Sequence, residues 1–408
     1  MRLLTPLLFL TVCVAACVLS TPVAAQTGGN VCVAVNGISG GSDDVGTSSD
    51  GITWSVASNA PESNQWQAVT FGNDLFVAVA NSGVNRAMSS PDGFNWTARA
   101  HGGTGTYQSV TFGDDTFVAV GVNAAMSSVD GENWTARTIQ NGNWRSVTWG
   151  DGLFVAVASS GADLVATSPD GVTWTPRTAA AANGWFGVTW GDGLFVAVAN
   201  SGTNRAMTSP DGVTWASETI SSNSWRAVHH ANALFIAGHA TSTTNVIATS
   251  SDAETWTGRT TSGTAVQAIS DRSGRVVAVG TSNTPIYSDD GTSWETGSGL
   301  SSGDGNDWEG VACASTGSAL PIGETGTLVS VFVGSVGAVL GLSPVAATGV
   351  TGAIVFGGIM YAVRGNIVAV ATMAIVAVSA LHLAGLVPLW VAVTVALLGI
   401  AFAAKRLG

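Results

Sequence analysis

The stretch Ser209-Pro210-Asp211-Gly212-Val213-Thr214-Trp215 returns in recognisable form seven times, with its Trp at Trp54, Trp96, Trp134, Trp174, Trp215, Trp256 and Trp294. The interval is about 40 residues. Self-similarity at that period, with several short apolar runs per copy, is the signature of a β-propeller, each repeat being a small sheet that buries its apolar faces only against its neighbours. The block from Trp66 to Thr97 shows the unit: Trp66-Gln67-Ala68-Val69-Thr70-Phe71, then Leu75-Phe76-Val77-Ala78-Val79, then Arg86-Ala87-Met88-Ser89-Ser90, then Trp96 and its followers. Four runs rich in Val, Phe, Trp and Thr, separated by Gly, Asn, Asp and Ser, predict a four-stranded antiparallel meander with strands A to D.

Counting each strand separately predicts how the ring closes. Strand A begins at Trp66, Tyr107, Trp144, Trp185, Trp225, Val266 and Trp308, and strand B near Val31, Leu75, Thr116, Leu153, Leu194, Leu234 and Arg275. The first B precedes any A, and the last A, residues 308 to 314, has no B after it. The expected fold is therefore an all-β, seven-bladed propeller over residues 26–318, its last blade made from both ends of the domain so that neither end leaves an open sheet edge. The cysteines agree. Cys313 occupies the column of Phe71, Phe112, Trp149, Trp190, His230 and Asp271, and Cys32 that of Phe76, Phe117, Phe154, Phe195, Phe235 and Val276. These columns should oppose each other across strands A and B, so an exported chain would join Cys32 to Cys313 as a disulfide.

Between strands C and D, Asp supplies a side-chain cap and the following Gly a positive φ, as in Asp92-Gly93, Asp130-Gly131, Asp170-Gly171 and Asp211-Gly212, with Ala253 in the sixth copy. Ser two residues before the Asp and Trp four after it complete the pattern, which resembles the Asp-box (BNR) repeat of sialidase-like propellers with one spacer residue missing before the Gly. In that family the Asp box is a folding element far from the active site, so the resemblance implies a structural role for these Asp residues.

The chain begins with Arg2, an apolar run from Leu3 to Leu19 and the small-residue site Val23-Ala24-Ala25 before Gln26, which reads as a signal peptide over residues 1–25. Val14-Ala15-Ala16-Cys17 also resembles a lipobox, which would instead acylate Cys17. After a linker at 319–327, residues 328–404 hold only Arg364 and His382 as charge carriers. Four apolar stretches there, each about 22 to 30 Å long as a helix, predict three or four transmembrane helices in contact with lipid, ending in a basic stretch at 405–408. Glycine spacing such as Gly334 to Gly341 would allow these helices to self-associate. The propeller is thus expected on the outer side of a cell or virion membrane.

A formal charge of −12, with Lys405 the single lysine, excludes nucleic acid as a partner. No cofactor or metal is expected, because His101, His229, His230 and His239 form no ligand spacing with cysteines; His229 and His230 should point to opposite faces of their strand. The loops before strand A and between strands B and C would share one face. That face is expected to carry Trp66, Tyr107, Trp144, Trp185, Trp225 and Trp308 as stacking surfaces, with Arg86, Arg145, Arg205, Arg226 and Glu309 as polar partners. Such a face suits an extracellular glycan or protein ligand without catalysis. A sialidase-like glycoside hydrolase is the alternative enzyme reading, and an asymmetric cluster of arginine and acid at one point of the face would favour it. The third reading is a structural envelope scaffold with no small ligand.

Overall fold

The computed structural model describes residues 30–38, 44–57, 60–241, 246–261, 265–301 and 307–315, all within one compact unit, Gly28–Ser318. The expected signal peptide, the lipobox cysteine Cys17, the linker, the membrane helices of 328–404 and the basic end lie outside the described residues. No helix among the described residues is long and apolar enough to cross a membrane.

Twenty-eight strands succeed one another without a helix among the described residues. Five antiparallel sheets have four strands each. The remaining eight strands form one sheet, in which the meander from Thr106–Gly113 to Thr135–Arg137 and that from Gly142–Gly150 to Thr175–Arg177 are joined at Asn143 and Val122. One four-stranded sheet draws on both ends: Trp308–Ser315 pairs with Asn30–Asn36, followed by Val45–Ser48 and Ser55–Ala57. The inner strands Trp66–Gly72, Thr106–Gly113, Gly142–Gly150, Trp185–Gly191, Trp225–Ala231, Val266–Arg272 and Trp308–Ser315 pack side by side in a closed cycle. This arrangement is a β-propeller.

Sequence explains each local feature. Second strands such as Leu75–Ala80 and Leu194–Ala199 are buried on both faces after their first residue, as unbroken apolar runs must be when a sheet is covered from two sides. The hairpins joining first and second strands turn on two residues with positive φ, for example Asn73 at 49° with Asp74 at 57°, and Asp151 at 47° with Gly152 at 73°. That is the tight turn whose twist matches the strands it joins. At the far end of the inner strands, Gly72, Gly113 and Gly150 lie against the rings of Phe112, Trp149 and Trp190 from the next inner strand; a Cβ on any of the three would sit 2.1 Å from ring carbon Cγ.

The recurrent Ser-x-Asp-Gly turn is a closed hydrogen-bond system. In one copy Ser209 Oγ donates to Asp211 Oδ1 at 3.0 Å, the same oxygen accepts Val213 N at 2.9 Å and Thr214 N at 2.8 Å, and Trp215 Nε1 donates to Gly212 O at 3.1 Å. The N–H groups of Thr173 and Val172 likewise hold the Asp170 carboxyl below the usual range. Six copies place Gly at φ between 68° and 78°, and Ala253 adopts 61° at the same place.

A disulfide joins Cys32 to Cys313, which face each other in the ladder with Cα atoms 3.9 Å apart. This is closer than the 4.4 to 6.8 Å common for disulfides. With a sequence separation of 281 between the partners, loop-closure entropy alone gives the bridge about 5 kcal/mol.

Two outcomes are expected. Reduction, or paired Cys32→Ser and Cys313→Ser substitution, should lower the melting temperature and expose the amides of Asn30–Asn36 to hydrogen exchange before those of Leu194–Ala199; simultaneous exchange would refute local opening. Gly150→Ala should cost about 1–3 kcal/mol through overpacking against Trp190, more than Gly152→Ala, whose Cβ meets nothing within 4 Å and strains only the backbone. Urea unfolding of both variants gives the order.

Candidate functional site: the mouth of the central channel

Each inner strand carries a bulge directly after its leading Trp, Tyr or Val. The pairing skips from Trp66 to Ala68, Tyr107 to Ser109, Trp144 to Ser146, Trp185 to Gly187, Trp225 to Ala227 and Val266 to Ala268. In the closing sheet it skips Glu309. A bulge leaves its extra residue without a partner across the ladder and re-aims the side chain. Here the extra residues are Gln67, Gln108, Arg145, Phe186, Arg226, Gln267 and Glu309, and all seven line one cavity of about 140 Å³ at the centre of the ring.

Charge is unevenly distributed around this cavity. Phe186 lies between two guanidiniums, with Arg145 Cζ 4.7 Å and Arg226 Cζ 5.3 Å from its ring centroid, both within cation–π range. Arg145 donates through Nη1 to Gln108 Oε1 at 3.2 Å and through Nε to Ser159 Oγ at 3.1 Å. Arg226 donates through Nη1 to Gln267 Oε1 at 2.9 Å, while its buried Nε has no hydrogen-bond partner. Among the described residues no carboxylate forms an ion pair within 4 Å of either guanidinium. Burial, then the like charge of Arg226, lowers the Arg145 pKa, and Glu309 opposes the shift.

Glu309 completes the arc, and Asp307 lies behind it, two residues earlier in the chain. Burial first, then neighbouring Asp307, pushes the Glu309 carboxyl up to about 7 against the pull of Arg226 and Arg145. Asp307 is raised by burial in spite of Arg226 and a hydrogen bond with Gln267, and its Oδ1 is buried without a partner. Gly37 donates its N–H to Asp307 O at 2.8 Å and leaves room for Glu309, whose Cγ would lie 2.7 Å from a Cβ at position 37.

Of the expected site residues, Arg145, Arg226 and Glu309 meet here. The aromatic residues do not. Trp66, Tyr107, Trp144, Trp185, Trp225 and Trp308 are at most 1% exposed and form part of the inter-sheet core, so they offer no ring face for stacking. Four of the five indole N–H groups anchor loops instead, Trp144 to Gln140 O at 3.0 Å, Trp185 to Ala181 O at 3.1 Å, Trp225 to Ser221 O at 2.7 Å and Trp308 to Leu300 O at 3.1 Å, while that of Trp66 is buried without a partner. The physical reason is the area of an indole, which is best removed from water where two sheets meet. Arg86 and Arg205 are also engaged structurally. Arg86 donates to the carbonyls of Gly83, Thr104 and Gly105, and Arg205 to those of Gly202, Asn200 and Asn223. Both tie a loop of one sheet to the entry of the next.

Phe186 and Asp307 were not legible as site residues. Phe186 shares the column of Gln67 and Arg145 one residue after the leading aromatic, which is the signal that could have found it. His229 and His230 do point to opposite sides, towards Asp271 at 2.8 Å and Asp192 at 3.0 Å. Among the described residues no group of three or more His, Cys, Asp or Glu could hold a metal ion.

No family model matches the sequence, and no curated protein matches it. Solved structures do. A virginiamycin B lyase from Staphylococcus aureus is 9% identical, with a TM-score of 0.51 over 67% of this chain and 96% of that one. The computationally designed Ika8 protein is 13% identical with a TM-score of 0.47, covering 70% and 95% of the two chains. YCF48 from Cyanidioschyzon merolae is 18% identical with a TM-score of 0.44, covering 58% and 86%. The likeness to the lyase is one of fold alone.

Substitution separates the scaffold from the mouth. Trp185→Ala should cost about 3–5 kcal/mol by opening a cavity in the core, and Arg205→Ala about 0.5–1.5 kcal/mol through lost hydrogen bonds. Arg226→Gln should leave urea stability nearer the wild type than Trp185→Ala does, and the reverse order would place Arg226 in the scaffold.

Proposed function

We propose that this chain is an exported, membrane-anchored, seven-bladed propeller of the Asp-box kind that binds a protein partner at its channel mouth, without catalysis. One observation carries the reading. The columns around the mouth repeat, with Trp or Tyr before the bulge in six inner strands and Phe in the second strand of five repeats, whereas the bulge column reads Gln, Gln, Arg, Phe, Arg, Gln, Glu. A ring fold needs symmetry between its repeats, and an asymmetric ligand needs it broken. It is broken where the side chains converge.

The burial of the six aromatics weighs against a glycan, since the stacking surface at the mouth is reduced to Phe186, already flanked by two guanidiniums. The signal-like start and the apolar stretch 328–404 support display on the outer side of a membrane, with the tail in lipid and its glycines available for self-association. Seven sequence repeats and seven inner strands in cycle support the blade count.

Hydrolysis is the second reading, favoured by the clustering of Arg145, Arg226, Asp307 and Glu309. Two acids of raised pKa could share acid and base roles. Against it, the leading aromatics on which a sugar ring would stack are buried between sheets; the space at the mouth, about 140 Å³ with a further 180 Å³ bounded by the same seven side chains, does not separate the two readings.

A photo-crosslinking residue placed at Gln108 in the displayed full-length chain should trap a discrete protein adduct that the same residue at Thr175, on an outer strand, does not. Adducts from Thr175 alone, or from neither site, would refute the mouth as a docking site. Release of p-nitrophenol from aryl glycosides, abolished by Glu309→Gln, would establish the hydrolase instead.

A further inference from the structure

The mouth contains a charge problem that the protein leaves unsolved. Two guanidiniums share one phenyl ring, repel each other and lack a carboxylate within 4 Å among the described residues. Their orientation is nevertheless fixed: Gln108 and Gln267 each accept from one Nη1, and Ser159 accepts from Arg145 Nε. Each guanidinium has five N–H donors, and these bonds engage two of Arg145's and one of Arg226's. An anion entering the cavity beside the two guanidiniums would engage donors left over there and relieve the repulsion together.

Resting on the binding reading above, we propose that the mouth receives a single carboxylate of the protein partner, accepted at Arg226 and balanced by Arg145, with Phe186 as the spacer between the two cations. A monoanion fits better than a phosphate dianion because Glu309 lies on the same arc with Asp307 behind it, and both would repel the second charge. The seven residues bound spaces of about 140 and 180 Å³, room for one side chain or one chain end of the partner. An acidic side chain and a C-terminal carboxylate present the same chemistry and differ only in the atoms bonded to the carboxyl carbon.

Glu309 competes with the incoming carboxylate for the same arginines. Among the described residues the charged groups facing it are Asp307, Arg226 and Arg145. The inner strands on either side bring Gln67 and Gln267 to this level, and Asn30–Asn36 brings no titrating group. With the Glu309 carboxyl pushed up to about 7, lowering the pH from 8 to 6 protonates it, while a ligand carboxylate with a pKa near 4 stays ionised. Affinity should therefore rise over that interval and fall again only as the ligand itself protonates.

Saturation-transfer NMR on the full-length chain in detergent can use three probes: acetyl-glutamate amide, acetyl-alanine with a free carboxylate, and acetyl-glutamine amide. One or both carboxylates should bind and the neutral amide should not. A signal from the glutamate probe alone assigns an acidic side chain, and one from the alanine probe alone a chain end. Arg226→Gln should weaken carboxylate binding about tenfold or more, the scale of a lost charge-assisted hydrogen bond. Glu309→Gln should strengthen it about three- to tenfold and remove the rise between pH 8 and 6, a gain that misfolding would not produce. Equal signals from the amide, indifference to both substitutions, or no carboxylate binding at about 10 mM would overturn the proposal. If carboxylates fail while crosslinking at Gln108 succeeds, docking at the mouth stands and this ligand chemistry falls.

Discussion

Every sheet in this propeller has apolar side chains on both faces, and neither face can be left in water. Val77 and Val79 belong to one core cluster while Phe76, Ala78 and Ala80, from the same strand, belong to the next. A strand divided in this way is satisfied only by neighbours on both sides, so a row of such sheets has no acceptable end. Closure is the constraint, and the pairing of Trp308–Ser315 with Asn30–Asn36 answers it. That pair draws its two strands from distant parts of the chain, so ordering it costs more loop entropy than any hairpin in the ring. The disulfide sits on that pair.

One backbone detail separates the features that were legible in the sequence from those that were not. Repeats, turns, strand closure and the opposed cysteines were readable because each depends on a residue type at a fixed spacing. The orientation of the leading aromatics was not. Trp185 and Phe186 are adjacent, and in a regular strand adjacent side chains point to opposite faces; the choice of face depends on the bulge, which no composition signal marks. Grouping the aromatics with their polar neighbours on one surface therefore placed Arg145, Arg226 and Glu309 at the mouth but put the indoles there too. Indoles at that position are the wedges between sheets, and the bulge turns the next residue towards the axis.

The bulge also explains why the mouth can vary. A residue with no partner across the ladder contributes little to sheet register, so Gln, Arg, Phe and Glu are all accepted there, whereas packing holds the column before it to Trp, Tyr or Val and the column after it to Ala, Ser or Gly. Cohesion and recognition are thereby assigned to neighbouring positions of the same strand. Arg86 and Arg205 show the contrary case, for they are half-buried cations that resemble binding residues in sequence yet direct their donors to loop carbonyls. The fate of a polar side chain in a ring of this kind depends on whether the adjoining repeat offers it an acceptor.

Closure and the mouth share a strand. Glu309 and Cys313 are four residues apart on Trp308–Ser315, and Asp307 is fixed from the opposite end of the domain by Gly37. The arginines belong to two other sheets, held by Gln108, Ser159 and Gln267. The acidic side of the cavity thus depends on the bond between the two ends of the domain, and the basic side does not. Loss of the Cys32–Cys313 bridge would loosen Asp307 and Glu309 first and leave Arg145, Phe186 and Arg226 in place. The acids that compete for the arginines, and so tune the site, are carried by the last strand to be fastened.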